Sequence, residues 1–368
     1  MGDTGESNGG LVKMNVFSDH TRTSPVRTLV VDDAPLMRKV IQEILAKNRD
    51  IEVVGTAVHG QDCLDKIPQL KPEVVTLDID MPVMNGITAV KNIMVRHQIP
   101  IVIISSLVQD GYFAFEALRL GVMDFLPKPS KVVNTDWASE EELVRMRVRA
   151  AAGMQVHRMR RVRRHKKSPV ITDHRQTAPS SIVAMGTTLA GPNTIMHIVT
   201  QLNPEFSGAV VALQEIHPRI LVPFCSYFNE ISPLEVVPVT DSVPLCQGRV
   251  YLGSTFLGLR IGTSIENPDE LMVYVPPNPE FPIDQLFESA AFQYKHGACA
   301  VLLTGVGVDG TEGMRAIKEQ GGLTIAQDHE CCVYPNLVEN ALQHNVVDAL
   351  MTNKGIAGRL ESWLQDKF

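Results

Sequence analysis

Carboxylates and a lysine follow the apolar runs in the first third of this 368-residue chain. Asp32 and Asp33 end the run RTLVV, Asp78 ends EVVTL, and Lys128 follows a later run in FLPKPS. If these runs are parallel strands, their carboxyl ends meet at one edge of a sheet. Several carboxylate oxygens suit Mg²⁺, and a carboxylate beside the metal can attack a phosphoryl group. The pattern therefore predicts a phosphoryl-transfer site with Asp78 as the acceptor.

A second candidate site lies in VAMGTTLAGPN, residues 183–193. The segment is typical of the turn that carries a serine nucleophile, but it contains no serine. Thr188 offers a hydroxyl, and threonine serves as a nucleophile in some enzymes. Its branched Cβ restricts χ1 and crowds a tight turn, so the segment predicts the shape of an active site with altered reacting atoms.

Both sites need strands to position them, and the hydrophobic pattern supplies two series of strands. Short β-branched runs alternate with helical stretches from Arg27 to Pro129, and a second alternating series begins at Ser181. Strands that alternate with helices of this length indicate parallel sheets. The fold class predicted is α/β, with two doubly wound parallel-sheet domains joined by a basic linker.

Composition places the boundaries of these units. Residues 1–25 are polar and predicted to be a disordered tail, 26–144 the first domain, 145–180 the basic linker and 181–368 the second domain. Ten of the 34 Lys and Arg residues lie between Arg145 and Lys167, a stretch without acidic residues, although the net charge is −7. Such a run is typical of a solvated linker or a contact for an acidic partner, and nucleic acid is an alternative partner.

The sequence also bears on location. No apolar run approaches the length of a bilayer span, and the first 25 residues lack the apolar core of a signal peptide. Six cysteines without C-x-x-C spacing indicate reduced thiols. These features predict a cytoplasmic protein without membrane insertion.

The first constellation closely resembles the receiver domain of two-component response regulators, from Arg27 to about Ser130. The resemblance implies a flavodoxin-like fold, phosphorylation of Asp78 and a sensor histidine kinase as partner. It also implies a role for each nearby polar group. Those groups are Asp32, Asp33, Asp78 and the Asp80 carbonyl for Mg²⁺, Ser105 and Lys128 for the phosphoryl oxygens, and Phe125 as the switching aromatic.

The second domain resembles the catalytic domain of chemotaxis protein-glutamate methylesterases. The resemblance is strongest in LLTGVGVDGTEGMRAIKEQGGLTIAQD, residues 302–328, and includes QGRVYLG and AGP. It implies a Rossmann-type domain whose family hydrolyses methyl esters of chemoreceptor glutamates, and often deamidates glutamines, with a Ser-His-Asp triad.

The triad positions that the resemblance implies are altered. The serine position falls on Thr188, the histidine position on Glu215, and the aspartate is retained as Asp309. A glutamate with an ordinary pKa of about 4.3 is a poor base near neutral pH unless burial raises it. His217 could rescue the site only if its loop folds back, because two extended residues span about 6.6 Å. His329 is a further histidine that could approach from another loop.

Three hypotheses follow. In the leading one, the chain is a phosphorylation-controlled signalling protein whose second domain is impaired in catalysis and binds chemoreceptors or other proteins of the chemosensory array. In the second, it remains a methylesterase or deamidase that uses Thr188, or a different hydrolase with Glu215 and Asp309 as paired carboxylates. In the third, the basic segment contacts nucleic acid, although no helix-turn-helix or RNA-binding fold is evident.

Overall fold

The first sheet is parallel and has the strand order β2-β1-β3-β4-β5. In this computed structural model the described residues are 24–106, 111–129, 137–159, 162 and 177–366. The strands are β1 Val26–Val31, β2 Ile51–Ala57, β3 Val74–Leu77, β4 Ile101–Ser105 and β5 Asp124–Pro127. The helices are α1 Pro35–Leu45, α2 Gly60–Leu70, α3 Gly86–Arg96, α4 Gly111–Leu120 and α5 Trp137–Ala151. This order is the flavodoxin-like one predicted from the sequence.

The second domain contains a seven-stranded parallel sheet with the order β15-β14-β13-β6-β7-β10-β8. The strands are β6 Ile182–Gly186, β7 Ala209–Gln214, β8 Glu235–Pro238, β9 Val243–Pro244, β10 Arg249–Ser254, β11 Arg260–Thr263, β12 Leu271–Tyr274, β13 Ala298–Leu302, β14 Leu323–Gln327 and β15 Ala349–Met351. The helices are α6 Gly191–Val199, α7 Pro218–Asn229, α8 Pro282–Tyr294, α9 Thr311–Glu319, α10 Asn336–Gln343 and α11 Asn353–Gln365. The predicted α/β class is confirmed for both domains.

A small antiparallel sheet accompanies the large one. It has the order β11-β12-β9 and includes the apolar run ELMVYV, which belongs to the second alternating series of the sequence. Hydrophobic alternation identifies strands but does not say which sheet they join. The partner sheet is therefore a finding of the structure.

The basic segment begins within a helix. Helix α5 continues to Ala151, past the boundary predicted after residue 144, and the side chains of Arg145 and Arg147 are buried. The interpretation of the whole basic run as solvated linker is therefore wrong for its first part, because these arginines pair with carboxylates. Most of the remaining linker, together with residues 1–23 of the predicted tail, lies outside the described residues.

The two domains pack directly on each other through α4 and α7. Gly111 permits a close approach, since a Cβ there would lie 2.2 Å from the Cβ of Pro223. Beside it the rings of Phe115 and Phe224 have centroids 5.7 Å apart. Buried apolar side chains of both domains form one continuous cluster. Burial of this kind favours the docked arrangement through the hydrophobic effect.

All six cysteines are free thiols, as predicted. Among the described residues no helix has the length and apolarity required to cross a bilayer.

Candidate functional sites

The first site lies at the carboxyl edge of the five-stranded sheet. Asp32 and Asp33 follow β1, and Asp78 follows β3. One carboxylate oxygen from each of the three lies within 4.8 Å of the others. Backbone N–H groups hold two of these side chains, since Asp32 Oδ1 accepts from the amide of Ala34 at 2.8 Å and Asp78 Oδ1 accepts from that of Ile79 at 2.7 Å. This convergence of oxygens fits Mg²⁺, which takes carboxylate ligands in near-octahedral geometry.

Lys128 closes this site from the end of β5. Its Nζ lies 2.6 Å from Asp78 Oδ2 and 2.7 Å from Asp32 Oδ2. Burial disfavours the charged ammonium, but the hydrogen bonds and charges of the two carboxylates outweigh it and raise the pKa of Lys128. Burial also raises the pKa of Asp32, only partly offset by Lys128. The lysine thus stays positively charged beside the predicted phosphoacceptor.

The remaining receiver residues of the sequence prediction surround this edge. Ser105 ends β4 and is fully buried, and its carbonyl accepts from the amide of Lys128 at 3.0 Å. Phe125 is buried within β5. Asp80 follows Asp78 by two residues and has an exposed side chain. The contact of its carbonyl with a metal, and the roles of Ser105 and Phe125, stay predictions.

The second site lies at the carboxyl edge of the large sheet, where Thr188 follows β6. Its Oγ1 accepts from the amide of Val306 at 2.8 Å and donates to the carbonyl of Val306 at 3.2 Å. The side chain is buried against Gly305, where a Cβ would lie 2.3 Å from Oγ1. The threonine hydroxyl is therefore a structural link between two loops, since it donates one hydrogen bond and accepts one.

Asp309, predicted to be the triad aspartate, is likewise bonded to backbone. Its two carboxylate oxygens accept from the amides of Ile283 at 3.0 Å and Asp284 at 2.8 Å, at the start of α8. Burial first, and then the charge of Asp284, raise the pKa of Asp309 to about 7. The group that would orient a histidine instead satisfies the first N–H groups of a helix.

Glu215, at the position predicted for the triad histidine, directly follows β7 and points toward the first domain. Its Oε1 lies 2.5 Å from Nη2 of Arg147 on α5. Nε of the same arginine lies 2.9 Å from Oδ2 of Asp124 at the start of β5. One buried guanidinium thus joins a carboxylate from each domain, and we call this set the Arg147 bridge.

His217, predicted as a possible rescuing base, lies directly before α7. Its Nδ1 accepts from the amide of Arg219 at 3.3 Å, so the ring caps the start of α7. Burial, then the charges of Arg219 and Arg147, lower its pKa to about 4. His329 lies 3.6 Å from Asp328 in a half-exposed loop. Within the described ranges, no hydrogen bond joins either histidine to Thr188 or Asp309.

Sequence reasoning missed Arg147 as a site residue. The only sequence signal was the start of the basic run, which a solvated linker explains equally well. Its pairing with Glu215 joins residues 68 apart in the chain. A periodicity argument about α5 does not reveal such a contact between domains.

Comparison with known proteins assigns both halves. The chain matches the family model "CheB methylesterase" over residues 183–360 and "Response regulator receiver domain" over residues 28–135. It is 32% identical to a protein-glutamate methylesterase/protein-glutamine glutaminase 2 of Carboxydothermus hydrogenoformans, over 92% of this chain and 98% of that protein. A relative from Clostridium acetobutylicum is 31% identical over 91% of this chain and 96% of that protein.

The matched solved structures include the methylesterase catalytic domain of Thermotoga maritima CheB. That match has 24% identity and a TM-score of 0.46, and it covers 50% of this chain and 98% of the other.

Proposed function

This chain belongs to the family of chemotaxis response regulators that join a receiver domain to a CheB methylesterase domain, and we propose that in this member the second domain signals by protein contact. Phosphorylation of Asp78 would control the protein, and ester hydrolysis would be impaired. The expected contacts are chemoreceptors or other components of a chemosensory array.

The receiver site supports phosphoryl transfer to Asp78. In this step an Asp78 oxygen would attack phosphorus of a phosphohistidine on the kinase, forming an acyl phosphate as the P–N bond breaks and the imidazole leaves. Lys128, already within 2.6 Å of Asp78, would offset charge on the phosphoryl oxygens. Asp32, Asp33 and Asp78 would hold Mg²⁺, which supplies further charge neutralisation when bound.

One observation carries the proposal of impaired hydrolysis: the Thr188 hydroxyl is bonded on both its donor and acceptor sides to the backbone of Val306. A triad nucleophile must give its proton to a nearby base. Among the described side chains no base is hydrogen-bonded to Thr188, and Glu215 is engaged by Arg147. In subtilisin, a worked example of triad loss, removing the serine or histidine costs about 10⁶ in turnover.

The decisive experiment measures methanol release from methylated chemoreceptor membranes, with and without acetyl phosphate. The purified full chain and its Thr188→Ala and Asp309→Ala variants are compared. We expect all three to match the protein-free background in both states. Methanol release that depends on Thr188 would instead show a methylesterase rebuilt around threonine.

A binding measurement complements this assay. The full chain is sedimented with receptor-containing membranes and with membranes that lack receptors. We expect receptor-dependent cosedimentation that responds to acetyl phosphate in the wild type and not in Asp78→Asn. Equal recovery on both membranes would argue against receptor contact.

A further inference from the structure

The side chain that replaced the triad histidine is buried against the receiver domain. Only 2% of the Glu215 side chain and 3% of the Arg147 side chain are exposed. A carboxylate and a guanidinium lose much hydration when buried, and only close pairing compensates this cost. Their contact therefore requires the two domains to be docked, because separating them would leave each charge without this partner.

The fork of Arg147 suits this arrangement. Its Nη2 donates to Glu215, while its Nε lies 2.9 Å from Asp124 Oδ2 without the alignment of a hydrogen bond, so one planar guanidinium lies beside both carboxylates. The plane also lies near an aromatic ring, with Cζ 5.8 Å from the centroid of Phe256. A lysine has one point of charge and could not reproduce the fork.

A histidine at position 215 would not fit this environment. It would replace an anion by a neutral or cationic ring beside Arg147, and leave the guanidinium with Asp124 as its anionic partner in the bridge. Position 215 can thus hold either a histidine for proton transfer in a triad or a carboxylate that pairs with Arg147 of α5, but not both.

Neighbouring contacts reinforce the same docking. The hydroxyl of Tyr334 donates to the carbonyl of Ala150 at 2.8 Å, at the end of α5. Just beyond the helix, the amide of Gln155 donates to the carbonyl of Val333 at 3.3 Å. Gln155 belongs to neither a regular helix nor a strand, so its amide reports on this contact between domains.

From these contacts we propose that Glu215 is the docking residue for the receiver domain, binding Arg147 of α5 at the position where the family has its triad histidine. The position that holds the proton-transfer histidine in the family would thereby hold the two domains together in this protein. This docking role rests on the proposed function in one respect: Glu215 takes no part in catalysis.

Hydrogen exchange of the unphosphorylated full chain tests this assignment. We expect Glu215→Gln to accelerate exchange of the Gln155 amide more than tenfold, while the amides of β1 and β6 keep their protection. Glu215→His should do the same. Glu235→Gln is the matched control, because its pair with Arg249, at 2.9 Å, lies within one domain. That control should leave exchange of the Gln155 amide unchanged.

A Gln155 rate within twofold of wild type in Glu215→Gln, or equal acceleration in Glu235→Gln, would overturn the proposal. If Glu215→Gln also accelerates exchange of the β1 and β6 amides, Arg147→Lys is tested in its place, with the same limits on the exchange rate of the Gln155 amide. These outcomes can be distinguished from those of the methanol-release assay. Hydrolysis that depends on Thr188, together with an unchanged exchange rate of the Gln155 amide, would refute both proposals. Hydrolysis together with accelerated exchange of that amide would leave the docking role of Glu215 intact.

Discussion

Both parallel sheets of this protein end in polar side chains, but those side chains have different partners. At the receiver edge Asp32, Asp78 and Lys128 face one another, and backbone amides hold the outer oxygens of both carboxylates. At the methylesterase edge Thr188 bonds to a loop and Asp309 to a helix start. In the first arrangement the charged groups converge on one point. In the second, each polar group makes a hydrogen bond that stabilises a nearby loop or helix.

This difference shows how two sites at equivalent sheet edges can differ in what their polar side chains contact. Residue type alone does not separate them, because a hydroxyl and two carboxylates are present at the positions predicted for the triad. Within the described part of the chain, the receiver side chains contact one another as well as backbone, whereas Thr188 and Asp309 contact backbone and Glu215 contacts Arg147. Three predictions test the contrast.

The largest effect is expected at the receiver edge. Asp78→Asn removes the nucleophilic oxygen and should reduce phosphoryl incorporation from acetyl phosphate to background, a loss on the order of 10³-fold or more. Gel separation of phosphorylated protein measures it. Asp80→Asn is the control, since the role predicted there belongs to the backbone carbonyl, and it should retain phosphorylation. Incorporation that survives in Asp78→Asn would place the acceptor elsewhere.

A smaller effect is expected at the threonine. Thr188→Val keeps the shape but leaves the amide and carbonyl of Val306 without their side-chain partner, which should lower the free energy of unfolding by about 1–3 kcal/mol. Urea unfolding measures this loss. The exposed Thr263→Val on β11 should change stability by less than about 0.5 kcal/mol. Unchanged stability in Thr188→Val would mean that the hydroxyl is free for another purpose.

The third prediction concerns the pH dependence of stability. The pKa of Asp309 is raised to about 7, chiefly by burial, so the folded protein favours the protonated carboxyl while the unfolded chain loses that proton near its ordinary value. Its contribution to stability is full below the unfolded pKa and declines as pH rises through about 7, by at most about 1.4 kcal/mol per unit. Asp309→Asn mimics the protonated form. As the pH rises from 5 to 8, its free energy of unfolding should therefore decrease by less than that of wild type.

Urea midpoints at several pH values check this expectation. Asp348→Asn is the matched control, because the ion pair with Lys318 and hydrogen bonds from Thr324 outweigh burial and lower the pKa of that carboxyl. Its effect should be constant above pH 5, since that carboxyl titrates at lower pH in both states. Parallel curves for wild type and Asp309→Asn would contradict a raised pKa at Asp309.

Much of the fold, and the convergence of acidic side chains at one sheet edge, was predictable from the sequence. Alternating apolar runs identified two parallel-sheet domains, and the acids after β1 and β3 marked an edge where side chains converge. The residue types at positions 188 and 215, which carry the prediction of an altered triad, were also visible. These features are local, since strand ends and turns are written in short stretches of sequence.

Only the tertiary structure decided what the altered residues contact. Thr188 meets Val306 across 118 residues, and Glu215 meets Arg147 across 68. Such pairings depend on how the strands are ordered and how two domains dock, which neither periodicity nor charge count encodes. The basic run indicated positive charge near residue 147, but only the docking of α5 placed that charge against Glu215, at the position predicted for the histidine.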